Sequence, residues 1–498
     1  MKHDASPVAI GLDLGTSGVK AVLLSGDGTL MGEASASLEV QRPQPLWSEQ
    51  HPHDWLAAAD QAVGALRARS DPAAWQRVRA LAVAGQMHGA VLLDGRGDVL
   101  RPAILWNDGR SQAQCAQIEA REPATRRITA NRAMAGFTAP KLLWVAEHEP
   151  DVYTRVAKVL LPKDWLAWRL SGTMTSDCSD AAGTLWLDVG ARRWSDAMLD
   201  ATGMHVGQMP ELHEGSDAVG TLQPAWATAW GLPDGITIAA GAGDNAGGAV
   251  GVGVVRPGQG FVSLGTSGVL FVATADARAN PDRGVHTFCH ALPGTWHQMA
   301  VMLSASASLA WWSDITGAPP ADLLAAITPG EVREQAPLFL PYLSGERTPH
   351  ADPAATGTLL GLTHRTTRDD LAYAVIEGVA FSFCDGLQAL QQAGTQPGPL
   401  LAIGGGARSD AWLQLMASAL GLPLLRPVGA EVGPALGAAR LALLAAGLPP
   451  AQVLTAPAAA RRFDPDPVAG ARLAARLARY RDAWVPTRAL TSPLGAGA

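Results

Sequence analysis

The sequence predicts an α/β protein built from two similar lobes, and three observations carry that expectation. First, 498 residues exceed what one hydrophobic core normally organises. Second, the hexapeptide LGTSGV occurs twice, at residues 14–19 and 264–269, each time between two short aliphatic runs. Third, several stretches read as strand, glycine turn and helix in succession. A motif that recurs once, in matching surroundings, indicates a duplicated domain rather than a solenoid. The boundary is expected near residues 250–260, giving lobes of 1–254 and 255–498.

The first lobe opens as a β-meander. Val8–Leu14 and Val19–Ser25 are joined by GTSG, and the GDG at 26–28 turns into a third run, Thr29–Val40. Helical patterning follows over Asp54–Arg69, then a strand at Val78–Ala84 and a loop at Gly85–Gly89. The segment Leu142–Trp230 is rich in tryptophan and is expected to be mostly helical. A second meander should begin near Gly260. Pro399–Gly421 reads as strand, glycine turn and helix, with Ser409 or Asp410 as N-cap and Gly421 closing the end. Val432–Leu448 is a small-residue helix suited to close packing. Pro449–Pro467 is expected to be loop, Val468–Trp484 a terminal helix, and the last residues disordered.

Composition excludes several classes. The net charge is −7, and Lys and Arg are scattered, so no basic surface exists for nucleic acid or anionic lipid. The apolar stretch Gly235–Val255 carries many glycines with Asp244 and Asn245 at its centre, which makes a poor membrane span. Four distant cysteines without a C-x-x-C pair fit a reducing compartment. The N-terminus lacks a signal-peptide run. A cytoplasmic protein is expected.

Several residues have chemistry-bearing patterns. Each LGTSG turn presents backbone N–H groups and hydroxyls between glycines, a phosphate grip or an ordinary hairpin turn. Only the first copy is preceded by an acid, Asp13, able to hold Mg²⁺ beside phosphates; Ser263 stands in the second. GAGDNAG (241–247) fits the dinucleotide fingerprint poorly, because Asp244 would sit where the pyrophosphate goes and no acid follows for the ribose. Asp244 at a strand end is either a base facing a hydroxyl or a helix cap. Met87 and His88 lie on a strand-end loop between glycines, where His88 is either a ligand contact or a satisfied structural histidine. His286, Cys289 and His290 have metal-like spacing without a further ligand pair. GERTPH (345–350) either joins a cleft or forms a surface turn.

The ordered set LDLGTSGVK, PLWSEQHP, GQMHGAVLLD, PAILWNDGRS, LLPKDWL, SDAAGT, GDNAGGAVG, LGTSG, LPYLSGERTPH, IGGGARSD and GPALGAAR resembles the FGGY carbohydrate kinases. GQMHG points to their xylulokinase branch. The resemblance spans about Val8 to Leu443 and implies two actin/hexokinase-like (ribonuclease H-like) lobes around a central cleft for ATP and sugar. It implies Mg²⁺ with ATP as donor and D-xylulose as acceptor. Carried over, Asp244 is the general base, and Asp13 is needed for activity near the metal. Met87, His88 and Asn245 bind the sugar, Thr16, Ser17, Gly265 and Thr266 the phosphates, and Gly405 and Gly406 the adenosine. Within the family the rival substrate is another ketopentose or a pentitol. Outside it, the rival is an actin-like ATPase without a sugar substrate. Oligomeric state stays open, a homodimer included.

Overall fold

The computed structural model describes residues 6–428 and 433–491. Its frame is two large mixed sheets. The first uses β1 (Val8–Leu14), β2 (Gly18–Ser25), β3 (Leu30–Ser37), β4 (Val78–Gly85), β5 (Ala218–Thr221) and β6 (Thr237–Gly243), in the order β5-β6-β4-β1-β2-β3. Strands β6, β4 and β1 run parallel; β2, β3 and the edge strand β5 run antiparallel to their neighbours.

The second sheet uses β7 (Gly260–Leu264), β8 (Gly268–Thr274), β9 (His286–Cys289), β10 (Trp296–Met302), β11 (Leu400–Ile403), β12 (Leu424–Pro427) and β13 (Ala459–Phe463). Its order is β9-β10-β8-β7-β11-β12-β13. Strands β12, β11 and β7 are parallel, while β8, β10 and β13 are antiparallel to their neighbours. Neighbour by neighbour this repeats the first sheet, with β9 added at one edge. The duplicated LGTSG turns are the β1–β2 and β7–β8 connections.

Helices form where side chains satisfy their ends. Helix α1 (Pro52–Arg69) starts on a proline and buries Trp55, Val63 and Leu66 against the first sheet. Helix α2 (Asp244–Gly251) follows β6 directly. Helix α3 (Arg368–Gln392) opens with a Thr367–Asp370 capping box and is buried along most of its length in the second lobe's core. Helix α4 (Asp410–Leu420) is capped by Ser409, whose hydroxyl accepts from the Trp412 N–H, and ends on left-handed Gly421. Helix α5 (Gly433–Ala445) is rich in Ala and Gly, and α6 (Pro467–Thr491) covers the second lobe.

Helix α5 lies in sequence between β12 and β13 of the second sheet yet packs on the first sheet. Ala435, Ala438, Ala439 and Ala442 lie with Ala9, Val22, Ala80, Ala82 and Ala84. The approach is backbone to backbone: a Cβ on Gly437 would lie 1.8 Å from the Gly247 carbonyl oxygen of α2, and one on Gly11 would lie 2.0 Å from the Ala435 oxygen. The tight packing expected of this segment is present, with Val432 outside the described residues.

Three expectations need correction. The span 142–230 is not mostly helical; short helices alternate with short strands, and its buried tryptophans are divided between two cores, Trp144 and Trp186 in one and Trp165 and Trp230 in the other. The segment 449–467 is not simply loop: Ala459–Phe463 pairs antiparallel with β12, and its Phe463 inserts into the core. The second meander is interrupted, since β8 pairs with β10 while β9 sits outside. The terminal helix continues past Trp484 to Thr491, and the disorder expected for the final residues falls, from 492 on, outside the described residues. No helix among the described residues is long and apolar enough to cross a membrane.

Candidate active site

Register places the two acids. Asp13 pairs with Ala84 across β1 and β4, and Gly85 pairs with Gly243 across β4 and β6. Asp13 and Asp244 therefore sit at the carboxyl ends of strands flanking β4, whose own end continues into Gln86, Met87 and His88. Ligands in parallel sheets gather at this edge. A shift in pairing between Ala239 and Ala242 turns the end of β6. Gly241 permits it with φ 84°, and a Cβ there would lie 1.9 Å from the Val83 carbonyl oxygen.

Asp244 is the first residue of α2, and its Oδ1 accepts from the Asn245 backbone N–H at 2.6 Å and from Asn245 Nδ2 at 2.9 Å. Burial pushes its pKa up to about 6, against the lowering effect of those two bonds. Asn245 is thus engaged with the carboxylate itself. Asp13 is raised further, to about 7, by burial and then by the charge of Asp244, with Lys20 opposing. The charge of Asp244 thus adds to the cost of ionising Asp13, and a cation placed between them would relieve it.

His88 combines both readings left open above. Its Nδ1 lies 2.6 Å from the Gly183 carbonyl oxygen, which can only accept, so Nδ1 carries the proton and Nε2 is left as an acceptor. Burial pushes its pKa down to about 3, so it is neutral. It holds φ 70°, and its carbonyl accepts from Lys141 Nζ at 2.8 Å and Thr138 Oγ1 at 3.1 Å. The ring packs edge-on against Phe137 and lines a cavity of about 330 Å³. Met87 does not line it; 4% exposed, its thioether is wedged against Gly183 and Gly243.

The first LGTSG turn is braced by glutamines. Thr16 Oγ1 donates to Gln86 Oε1 at 2.9 Å and accepts from Trp106 Nε1 at 2.9 Å. Gln86 Nε2 donates to Gln50 Oε1, and Gln50 Nε2 donates to the Thr16 carbonyl. Ser17 is exposed. In the second turn the Gly265 and Thr266 carbonyls accept from Ser306 and Ala305 N–H, with the Thr266 side chain exposed. The glycine loop after β11 lies against it: a Cβ on Gly404 would lie 3.0 Å from the Gly265 nitrogen. Gly405 is exposed over open space, whereas Gly406 is buried against Ser306 and Trp412. Asp13, Thr16, His88 and Asp244 thus share one sheet edge, and Gly265, Thr266, Gly405 and Gly406 share another.

Three further groups were left open or without a role by the sequence. GERTPH is no surface turn: Glu346 is 2% exposed, and both it and Arg347 line the cavity. Glu346 Oε1 accepts from the Leu303 and Arg347 N–H groups. His286, considered for a metal, instead bonds Asn131 Oδ1 through Nδ1 and Arg347 Nη1 through Nε2. His290 is spent on the Val254 carbonyl, and no cluster of three metal-binding side chains occurs among the described residues. Finally, buried Lys163 bonds Asp164 at 2.5 Å, Asp177 at 2.9 Å and the Ala240 carbonyl of β6 at 3.3 Å. Ser179 Oγ accepts from the Gly243 N–H. That cluster supports the strand end bearing Asp244; its only sequence signal was the pair LLPKDWL and SDAAGT.

Residues 8–251 match the N-terminal domain of the FGGY family of carbohydrate kinases, and residues 260–446 match its C-terminal domain. The chain belongs to this family. It is 52% identical over 439 residues to the xylulose kinase of Escherichia coli (strain K12), covering 88% of this chain and 90% of that one. It is 38% identical over 442 residues to the xylulose kinase of Bacillus subtilis (strain 168), covering 88% of each. A crystal structure described as a xyloylose kinase from Brucella ovis superimposes with a TM-score of 0.94 at 48% identity, covering 97% of this chain and all of that one. The two-lobed α/β architecture is that of the FGGY kinases.

Proposed function

We propose that this chain transfers the γ-phosphoryl group of ATP to the C5 hydroxyl of D-xylulose. The reading is carried by Asp244, a carboxylate raised to about 6 at a strand end beside Asp13, in a family member 52% identical to a named xylulose kinase. Phosphoryl transfer asks for positioning and charge neutralisation more than covalent chemistry. Asp244 takes the proton of the C5 hydroxyl as that oxygen bonds to the γ-phosphorus, and the bond to the β,γ-bridging oxygen breaks to release ADP. Asn245 holds the carboxylate in place for this. His88 Nε2 accepts from a sugar hydroxyl, and Met87 backs the loop from behind.

Thr16, Ser17, Gly265 and Thr266 hold phosphates in this reading, and Gly405 and Gly406 carry the adenosine on bare backbone. Asp13 fits a Mg²⁺ role: among the described residues no protein donor bonds its carboxylate, and Mg²⁺ is commonly held by one or two carboxylates plus substrate phosphates. Mg²⁺ bound there with ATP would offset the charge of the triphosphate. The lobes divide near 254/255, with α5 belonging structurally to the first sheet. Four buried free thiols suit a reducing cytoplasm.

An ADP-release assay over a panel of ketoses and polyols tests the assignment. D-Xylulose should give the highest kcat/KM, since a pocket that bonds each hydroxyl rejects a misplaced one. A clear preference for D-ribulose, glycerol or gluconate would overturn it. Equal ATP turnover with and without sugar would favour an actin-like ATPase.

A further inference from the structure

Arg347 is an unusual group to find in a sugar cavity. It lines the space beside His88, and among the described residues no carboxylate lies within 4 Å of its guanidinium. Its Nη1 donates to His286 Nε2 at 3.2 Å. His286 is neutral, because burial holds its pKa well below the usual value, and its Nδ1–H donates to Asn131 Oδ1 at 3.1 Å. Asn131 is fixed in turn by the Thr129 and Thr287 carbonyls. The Arg347 backbone is held as well, its N–H by Glu346 Oε1 and its carbonyl by the Ala351 N–H. One nitrogen of the fork is thus anchored through a rigid relay, and among the described residues the fork's other N–H groups have no protein acceptor. A guanidinium donates and never accepts. Glu346 is the nearby counter-charge, but its carboxylate bonds backbone N–H groups and not the fork, so holding the guanidinium partly buried is costly unless a ligand completes its bonds.

The chemistry of a ketopentose supplies that ligand. Ring closure adds the C5 hydroxyl to the C2 carbonyl and consumes both groups. A kinase that phosphorylates O5 must therefore take the open-chain form, in which the C2 carbonyl is free. A carbonyl only accepts hydrogen bonds, so it is complementary to a donor-only fork. Resting on the ketopentose reading above, we propose that Arg347 captures the free C2 carbonyl of the open-chain substrate. Arg347 thereby selects ketopentoses over pentitols, which carry a hydroxyl at that carbon. The open chain directs its far end to Asp244 while the carbonyl end stays in the cavity.

The test compares Arg347→Gln and Arg347→Lys with the parent enzyme on D-xylulose and on xylitol. Arg347→Gln should lose about 10–100-fold in kcat/KM for D-xylulose, with xylitol turnover, the KM for ATP and the melting temperature nearly unchanged. Arg347→Lys, which keeps charge without the fork, should recover part of the loss. Equal losses on both substrates would overturn the proposal, as would a ketose-selective loss in Arg132→Gln instead, since Arg132 also lines the cavity. A second measurement needs no variant: ¹³C spectra of D-xylulose labelled at C2, bound with a non-hydrolysable ATP analogue. A carbonyl resonance moved downfield supports the capture, and a hemiketal resonance overturns it. An enzyme inactive on every ketopentose would instead bring down the substrate reading on which the proposal rests.

Discussion

Replacing Asp244 by Asn separates a catalytic carboxylate from a helix-capping one, because the two roles move activity and stability differently. Asn keeps the shape of the side chain and can still accept from Asn245 through its Oδ1, but it cannot take a proton at neutral pH. A positioned general base contributes about 10²–10⁴-fold, so kcat should fall by at least about a hundredfold with little change in either KM. Stability should move the other way. Burial raises the Asp244 pKa from 3.8 to about 6, so the folded state pays for ionising it once the pH exceeds that of the unfolded carboxyl. The cost is absent below about pH 4, grows between 4 and 6, and is complete above 6. Taken in full the shift corresponds to about 3 kcal/mol. The side chain is partly exposed, and solvent screening reduces this to roughly 1–2 kcal/mol. Asp244→Asn should therefore melt roughly 1–4 °C higher at pH 7.5, and the two proteins should converge near pH 4. Differential scanning fluorimetry at both pH values, beside steady-state kinetics, provides the measurement. A folded variant keeping kcat within tenfold would remove the base from the mechanism, and a lower melting temperature at pH 7.5 would refute the burial argument.

Asp244 and Asp13 together set the acid limb of kcat/KM. With pKa values of about 6 and about 7, the fraction with both ionised falls by well over tenfold between pH 7 and pH 5, so a profile flat down to pH 5 would contradict this. His88→Asn should hold the fold, because its amide can replace Nδ1–H at the Gly183 carbonyl and Asn tolerates positive φ; losing the Nε2 acceptor should raise the sugar KM by about tenfold and leave the KM for ATP alone. Asp13→Ala should lower turnover by roughly a hundredfold or more and raise the Mg²⁺ concentration needed, whereas Ser263→Ala, at the matching place in the other copy, should stay within about threefold; equal losses would end the asymmetry argument. Gly405→Ala has open space for its methyl group and should raise the KM for ATP without loss of melting temperature, while Gly437→Ala, with no room beside Gly247, should cost about 1–3 kcal/mol of stability.

What the sequence made legible was local. The alternation in Val8–Ser25, the Ser409 cap and Gly421 stop, and the strand ends carrying Asp13, His88 and Asp244 all depend on neighbours within a few positions, and the structure has each of them. The duplication was legible because both hairpins kept the same six residues. What escaped depends on partners far along the chain. The segment Ala459–Phe463 is a strand because β12 offers it an edge, not because its Ala and Arg residues favour one. The Asn131–His286–Arg347 relay joins three segments, and only tertiary packing turns His286 from a metal-like signal into a hydrogen-bonded strut. The Gln50–Gln86 brace was split between two motifs whose spatial meeting no periodicity records. His88 escaped a single assignment because its two ring nitrogens do different jobs.

The placement of α5 bears on how the protein is made. The face of the first sheet formed by Ala9, Val22 and Ala80 is covered by residues 435–442. A ribosome adding 5–20 residues per second takes roughly 10–40 s to pass from the end of α2 to the end of α5. Throughout that interval the nascent first lobe displays a bare apolar sheet face, a surface that chaperones bind and that aggregates form from. The two halves of this chain therefore cannot mature one after the other: the first waits until about three-quarters of the second has been translated before its own core is closed.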